Sequence, residues 1–265
     1  MNKKVKKILI ITGWILIIGL VSFLIFVVNK RQKSKVCIQL TIKLDTVQDV
    51  SFINTAQINK LIKDSMGEII GKPMNGINIQ KMERVLNSIP YLKDIAVYKT
   101  LQGEIKIDMK ERKPIVHVFN KKNESFYIDD EGILMPTSGN YTSNVITAIG
   151  EINERFSMML DLNNPTSINK NPVLFKIFII SKYISKDDFW DAMTDQININ
   201  YKGEIELIPK LGKHGVIIGN IDNLDKKFNN LMVFYDKVIK KIGWDVYETI
   251  NLKFNDQIVC STKKQ

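Results

Sequence analysis

The pattern of apolar and polar positions opens with an uncharged run of 21 residues, Ile8 to Val28. A helix rises about 1.5 Å per residue, so this run spans roughly 30 Å, the thickness of a bilayer's hydrocarbon core. A buried soluble helix carries a polar stripe, and this run has only Thr12 and Ser22. A cleaved leader needs small residues before the cut. Here Asn29-Lys30-Arg31-Gln32-Lys33 follows the run, and no small-residue lipoprotein pattern precedes Cys37. The pattern predicts a retained membrane helix at 8–28 behind a tail of residues 1–7.

Beyond it, Ile38, Leu40, Ile42 and Leu44 alternate with polar neighbours, as in a half-buried strand. Asn54 and Gln57 have the spacing of a helix-opening capping box, ahead of Ile58, Leu61, Ile62 and Met66 on one face. Gly67 and Gly71-Lys72-Pro73 end that helix. A second helix carries Ile79, Met82, Val85, Leu86 and Ile89, and Pro90 stops it. Two strands follow, one with Ile95 and Val97, the other with Ile105, Ile107 and Met109, joined at Gln102-Gly103. The order strand, helix, helix, strand, strand makes a compact α+β unit.

The region after Ile115 is strand-rich. Phe126-Tyr127-Ile128 and Ile133-Leu134-Met135 flank a turn at Asp129-Asp130-Glu131-Gly132, and Val145 to Ile149 is a short strand. Pro172 to Ile184 reads as a buried helix, and Gly203 separates strands at 196–201 and 204–208. Asp222 opens a long helix whose stripe is Leu224, Phe228, Leu231, Met232, Tyr235, Val238, Ile239 and Ile242. Gly243 suits its C-terminal cap. One last strand is expected from Tyr247 to Cys260, with Ile250, Leu252 and Phe254 inward.

Charge changes this picture in one respect. The net charge is +10, yet residues 1–35 hold eight basic residues and no acid, so the remainder is close to neutral. Nucleic-acid binders concentrate basic residues on the folded surface, and this chain places them beside the apolar run. Four lysines precede that run and four basic residues follow it, so the positive-inside rule nearly cancels; the short leader favours an N-terminus inside and the bulk outside.

Candidate chemistry is sparse. Cys37 and Cys260 form no CxxC pair or metal spacing. His117 lies on a strand between Val116 and Val118, and His214 lies in the Gly212–Gly215 turn, where solvation is expected. No GxSxG, HExxH or P-loop is present. Asp129-Asp130-Glu131-Gly132 lacks the alternating ligands and terminal Glu of a calcium loop. Glu111-Arg112 reads as an ion pair at a domain junction or on the surface. No catalytic residue, cofactor or metal is assigned.

Several stretches are familiar in this order and spacing. They are Ile89-Pro90-Tyr91-Leu92-Lys93-Asp94-Ile95-Ala96-Val97, Ile107 through Ile115 with its Glu111-Arg112-Lys113-Pro114, and Tyr127-Ile128-Asp129-Asp130-Glu131-Gly132. Ile205-Glu206-Leu207-Ile208-Pro209 with Gly212 and Ile217-Ile218-Gly219 follows, then Ile250 to Phe254 and Gln257 to Cys260. Together they resemble the bacterial cell-division proteins of the FtsQ/DivIB family over nearly the whole chain. The resemblance implies an α+β fold: a transmembrane helix, a POTRA domain (βααββ) at 36–113, and at 114–265 a mixed β domain with a long helix and a C-terminal strand. It implies a non-enzymatic septum scaffold in the bacterial cytoplasmic (inner) membrane, with the bulk extracytoplasmic. The implied partners are divisome proteins of the FtsB and FtsL type, through which septal peptidoglycan synthesis is controlled, with the POTRA domain linked to recruitment.

In that family the FtsB contact uses the last strands. The docking edge expected here is Lys253, Phe254, Asn255, Asp256, Gln257, Ile258 and Val259, with Asn255-Asp256-Gln257 able to split it as a turn. An edge strand offers unpaired amides and carbonyls to an incoming segment. The chain ends at Gln265, so no long tail is expected to cover it. Two other classes compete. A membrane-anchored envelope enzyme needs converging acid, base or metal groups. A POTRA-containing assembly factor needs repeated units and a membrane barrel.

Overall fold

The computed structural model describes residues 12–24, 35–46, 51–254 and 257–262. Residues 12–24 are helical (α1), with Trp14, Leu16 and Phe23 each more than half exposed. Among the described residues no helix is long and apolar enough to cross a membrane. The ends of the expected span, 8–11 and 25–28, lie outside the described residues.

The chain divides into two compact units. The first comprises Met1–Thr46 and Ile53–Glu111, the second Val47–Phe52 and Arg112–Gln265. In the first unit β1 (Gln39–Asp45) is followed by α2 (Thr55–Met66), α3 (Ile79–Asn87), β2 (Leu92–Lys99) and β3 (Glu104–Glu111). The sheet order is β1-β3-β2, with β1 parallel and β2 antiparallel to β3. This is the βααββ arrangement expected from the pattern.

Its local causes are visible. The Asn54 side chain accepts from the Gln57 amide at 2.9 Å, and the Asn54 amide donates to Gln57 Oε1 at 3.0 Å. This reciprocal cap satisfies donors that the first helical turn leaves open. Ile58 and Ile62 of α2, and Met82 and Leu86 of α3, are at most 1% exposed over Ile105, Ile107 and Met109 of β3. Leu61, expected on the buried stripe, is instead exposed, because α2 buries only a narrow face.

In the second unit the described strands form one mixed sheet of nine. They are β4 (Pro114–Phe119), β5 (Ser125–Asp129), β6 (Leu134–Pro136), β7 (Ile146–Gly150), β8 (Thr194–Ile199), β9 (Ile205–Pro209), β10 (Gly215–Gly219), β11 (Tyr247–Asn251) and β12 (Val259–Thr262). The order is β12-β11-β10-β9-β8-β7-β4-β5-β6, with parallel pairs at β10/β11, β7/β8 and β4/β7. Helices α4 (Pro165–Lys170), α5 (Pro172–Ile184), α6 (Asp188–Met193) and α7 (Leu224–Phe234) accompany it. Leu174, Ile177, Phe178, Phe228 and Leu231 join the strand residues Val116, Ile197 and Val216 in one core.

The helix that begins with α7 does not stay regular. A π-helical turn covers Tyr235–Ile239 before the final Lys240–Ile242. Leu224, Phe228, Leu231, Tyr235 and Ile239 are buried as expected, but Ile242 is exposed. The wider turn rolls the last residues away from the core.

Arg112 pairs inside the second unit. Its Nη1 lies 2.7 Å from Asp129 Oδ2 and 3.3 Å from Glu131 Oε2. Asp129 Oδ1 accepts from the amides of Glu131 and Ile133. The acidic turn is therefore closed on its own backbone and on Arg112.

Candidate docking edge

The two edges of the large sheet differ. At one edge β6 carries Pro136, and a further segment lies along it: the Leu134 amide donates to the Leu160 carbonyl and the Met159 amide donates to the Leu134 carbonyl. Ile133 also bridges Asp161. A covered, proline-ended strand resists further pairing. At the other edge β12 pairs with β11 from Asn251↔Val259 to Tyr247↔Thr262, and no strand lies on its far side among the described residues. Val259, Ser261 and Thr262 are exposed, while Cys260 and Ile258 pack on the core.

The expected single strand from Tyr247 to Cys260 is thus two strands joined by Leu252–Ile258. Its break has a local cause. The Lys253 amide donates to the Asn251 side chain at 3.0 Å, an Asx-type bend, and Lys253 Nζ lies 3.0 Å from Glu204 Oε1. That contact and the Asn200 amide hold the Glu204 carboxyl below its usual range. Ile250 and Leu252 are buried, but Phe254 is 47% exposed beyond the bend. Of the five described residues among the seven expected at the edge, Val259 is on a strand. Lys253, Phe254, Gln257 and Ile258 lie in the connection, and Asn255 and Asp256 lie outside the described residues.

A groove of about 430 Å³ flanks this edge. Asn230, Val233, Phe234 and Lys237 line it from the helix, and Gln257 and Ile258 from the connection to β12. The π-turn supplies Lys237 to this wall while its Tyr235 and Ile239 stay buried. Sequence periodicity at 3.6 residues carries no signal for such a turn.

His214 fixes the helix behind the groove. It is 1% exposed, against the expected solvation of its turn. Its Nε2 shares a 3.0 Å hydrogen bond with the Tyr235 hydroxyl, and its ring stacks on Trp244 at 6.2 Å. Gly212 (φ +86°) lets the turn fold so closely that a Cβ there would meet His214 Nδ1 at 2.8 Å. Burial lowers the His214 pKa and raises that of Tyr235. His117, on β4, lies between Phe119 and Tyr127 with both ring centroids at 4.3 Å, and its Nε2 is 2.7 Å from Ser125 Oγ. Both histidines are engaged in packing. Among the described residues no group of three or more His, Cys, Asp or Glu is placed to hold a metal ion.

A βααββ unit followed by a unit built on a large mixed sheet is an α+β architecture of two parts. Residues 35–110 match the POTRA-like domain model, and residues 113–261 match the model described as FtsQ/DivIB, C-terminal related. The chain belongs to the FtsQ/DivIB family. It is 25% identical over 155 residues to the cell division protein DivIB of Clostridium tetani, across 58% of this chain and 55% of that protein. The chain thus spans about half the length of the curated relative it matches.

Proposed function

We propose that the chain is a membrane-anchored cell-division protein that acts as a binding scaffold at the septum and not as an enzyme. Its family membership and the name of its clostridial relative support the division role. The observation that carries the binding mode is the asymmetry of the large sheet among the described residues, with a segment along β6 and none along the far side of β12. A partner segment adds beside β12 as a further strand, and its flanking residues enter the groove against Val233, Phe234 and Ile258. Divisome proteins of the FtsB and FtsL type are the proposed partners, with control of septal peptidoglycan synthesis as the outcome. The helix at 8–28 anchors the chain in the cytoplasmic membrane with the bulk outside.

The proposed docking strand is Val259–Thr262 in place of the expected Lys253–Val259, with Phe254 and Ile258 beside the docked segment. Proline, placed in turn at Val259, Cys260, Ser261 and Thr262, tests it. In an antiparallel strand alternate amides point to opposite sides, and proline removes only its own. At positions facing away from β11, proline abolishes capture of the partners in pull-downs while near-UV circular dichroism stays unchanged. Full capture by all four variants sinks the edge reading. Division itself is tested by depletion: filaments or failed septa, with a fluorescent fusion banding at midcell, are expected. Even envelope fluorescence and normal septa would remove the division role.

A further inference from the structure

One end of the first unit gathers exposed apolar side chains around the point where the chain enters it. Residues 35–38 run between two turns. The Cys37 amide donates to the Lys72 carbonyl at 2.8 Å, and the Gly71 amide to the Cys37 carbonyl at 2.7 Å. On the other side the Ile38 amide donates to the Gly103 carbonyl at 2.9 Å, and Lys35 Nζ donates to the Leu101 carbonyl. Cys37 is buried, so Val36 and Ile38, one residue to either side, face outward. Val36, Ile38, Ile70 and Leu101 are 44%, 61%, 54% and 66% exposed. Leu101 occupies the tip of the β2–β3 hairpin, where turn chemistry asks for polar residues.

Two cations stand among them. Lys35 and Lys72 each spend a donor on a backbone carbonyl, Leu101 and Met66 respectively, and an ammonium has three. Immediately upstream come Lys30, Arg31 and Lys33, with no acid between residues 1 and 35. Lys35 is the seventh residue after Val28, and an extended chain covers at most about 3.6 Å per residue. A membrane helix ending at Val28 therefore keeps Lys35 within about 25 Å of the bilayer's hydrocarbon edge.

We infer that this end of the first unit is a membrane-contact surface, with Val36, Ile38, Ile70 and Leu101 entering the headgroup layer and Lys35 and Lys72 facing anionic lipid. The inference rests on the proposed anchor at 8–28. Its chemistry is that of interfacial binding: apolar side chains at the acyl boundary and basic ones at the headgroups. The occupant is lipid, because the patch lies within tether range of the anchor and its cations continue the basic run beside it.

The test uses the full chain in vesicles of phosphatidylglycerol and phosphatidylcholine. Cys260→Ser removes the accessible native thiol, and Leu101→Cys or Ile70→Cys takes an environment-sensitive fluorophore. Asn87→Cys is the control. Asn87 precedes the start of β2, and Leu92 pairs with Glu111, so this position lies at the opposite end of the sheet. At 101 and 70, but not at 87, emission shifts to the blue and is lost to lipids spin-labelled at the headgroup. Emission at 101 and 70 that matches position 87, in protein that resists alkaline extraction, overturns the surface and leaves the anchor standing. Release of the whole chain by alkali overturns the anchor, and the inference with it.

Discussion

Some residues hold their places through geometry that a sequence lists only as a letter. Gly150 has φ +104°, and a Cβ there would lie 2.2 Å from the Ile199 carbonyl oxygen. Both the backbone conformation and the close approach to β8 require glycine. Gly150→Ala should destabilise by more than about 1 kcal/mol, read as a lower midpoint in urea. The histidines make a prediction of a different kind. Burial holds His117 and His214 below the ordinary value of 6.5. In the unfolded chain both take up protons near 6.5, ahead of the folded chain. Stability should therefore fall as pH drops through about 6.5, and stop falling once the folded histidines protonate. Thermal melts between about pH 7.5 and 5 should show that slope, and His214→Gln should reduce it. The sequence hid this because His214 sits among Gly212, Lys213 and Gly215, which reads as a solvated turn. Its cover comes from Tyr235 and Trp244, more than twenty residues away.

Elements held together by local rules were legible. The Asn54–Gln57 cap, the Ile105-Ile107-Met109 alternation and the helix Pro172–Ile184 lie where the pattern put them. Asn54→Ala should cost about 1 kcal/mol, seen as faster amide exchange in the first turn of α2. Elements decided by distant contacts were not legible. Alternation ran from Ile250 through Leu252 to Phe254 and suggested one strand. The bend after Leu252 depends in part on Glu204, which no local period reports. The same limit applies to strand order: β4, β7 and β8 pair in parallel across long connections. Of the expected edge residues Lys253 to Val259, the structure puts Val259 on a strand and Lys253, Phe254, Gln257 and Ile258 in the connection before it. Val233→Glu should distinguish groove from edge, since Val233 is half exposed on the helix and lines the groove. It should weaken partner capture without lowering the melting temperature.

For the whole molecule, the charge map separates labour. Eight cations and no acid lie in residues 1–35, and the folded remainder is nearly neutral. Deletion of 8–28 should release the chain from membranes into the alkaline supernatant, whereas the intact chain stays in the pellet. The same deletion should leave capture of partner segments unchanged if β12 is the docking edge.

The unequal edges of the large sheet also set a limit on assembly. A β12 edge can be extended by one strand, but the β6 edge of a second copy, already lined by Met159–Asp161, gives it no place to pair. Copies therefore cannot stack β12 to β6 into a growing ribbon. If β12 is the docking edge, each chain is left with a valence of one at this site. The number of partner segments that can be held this way is then counted out by the number of chains in the membrane.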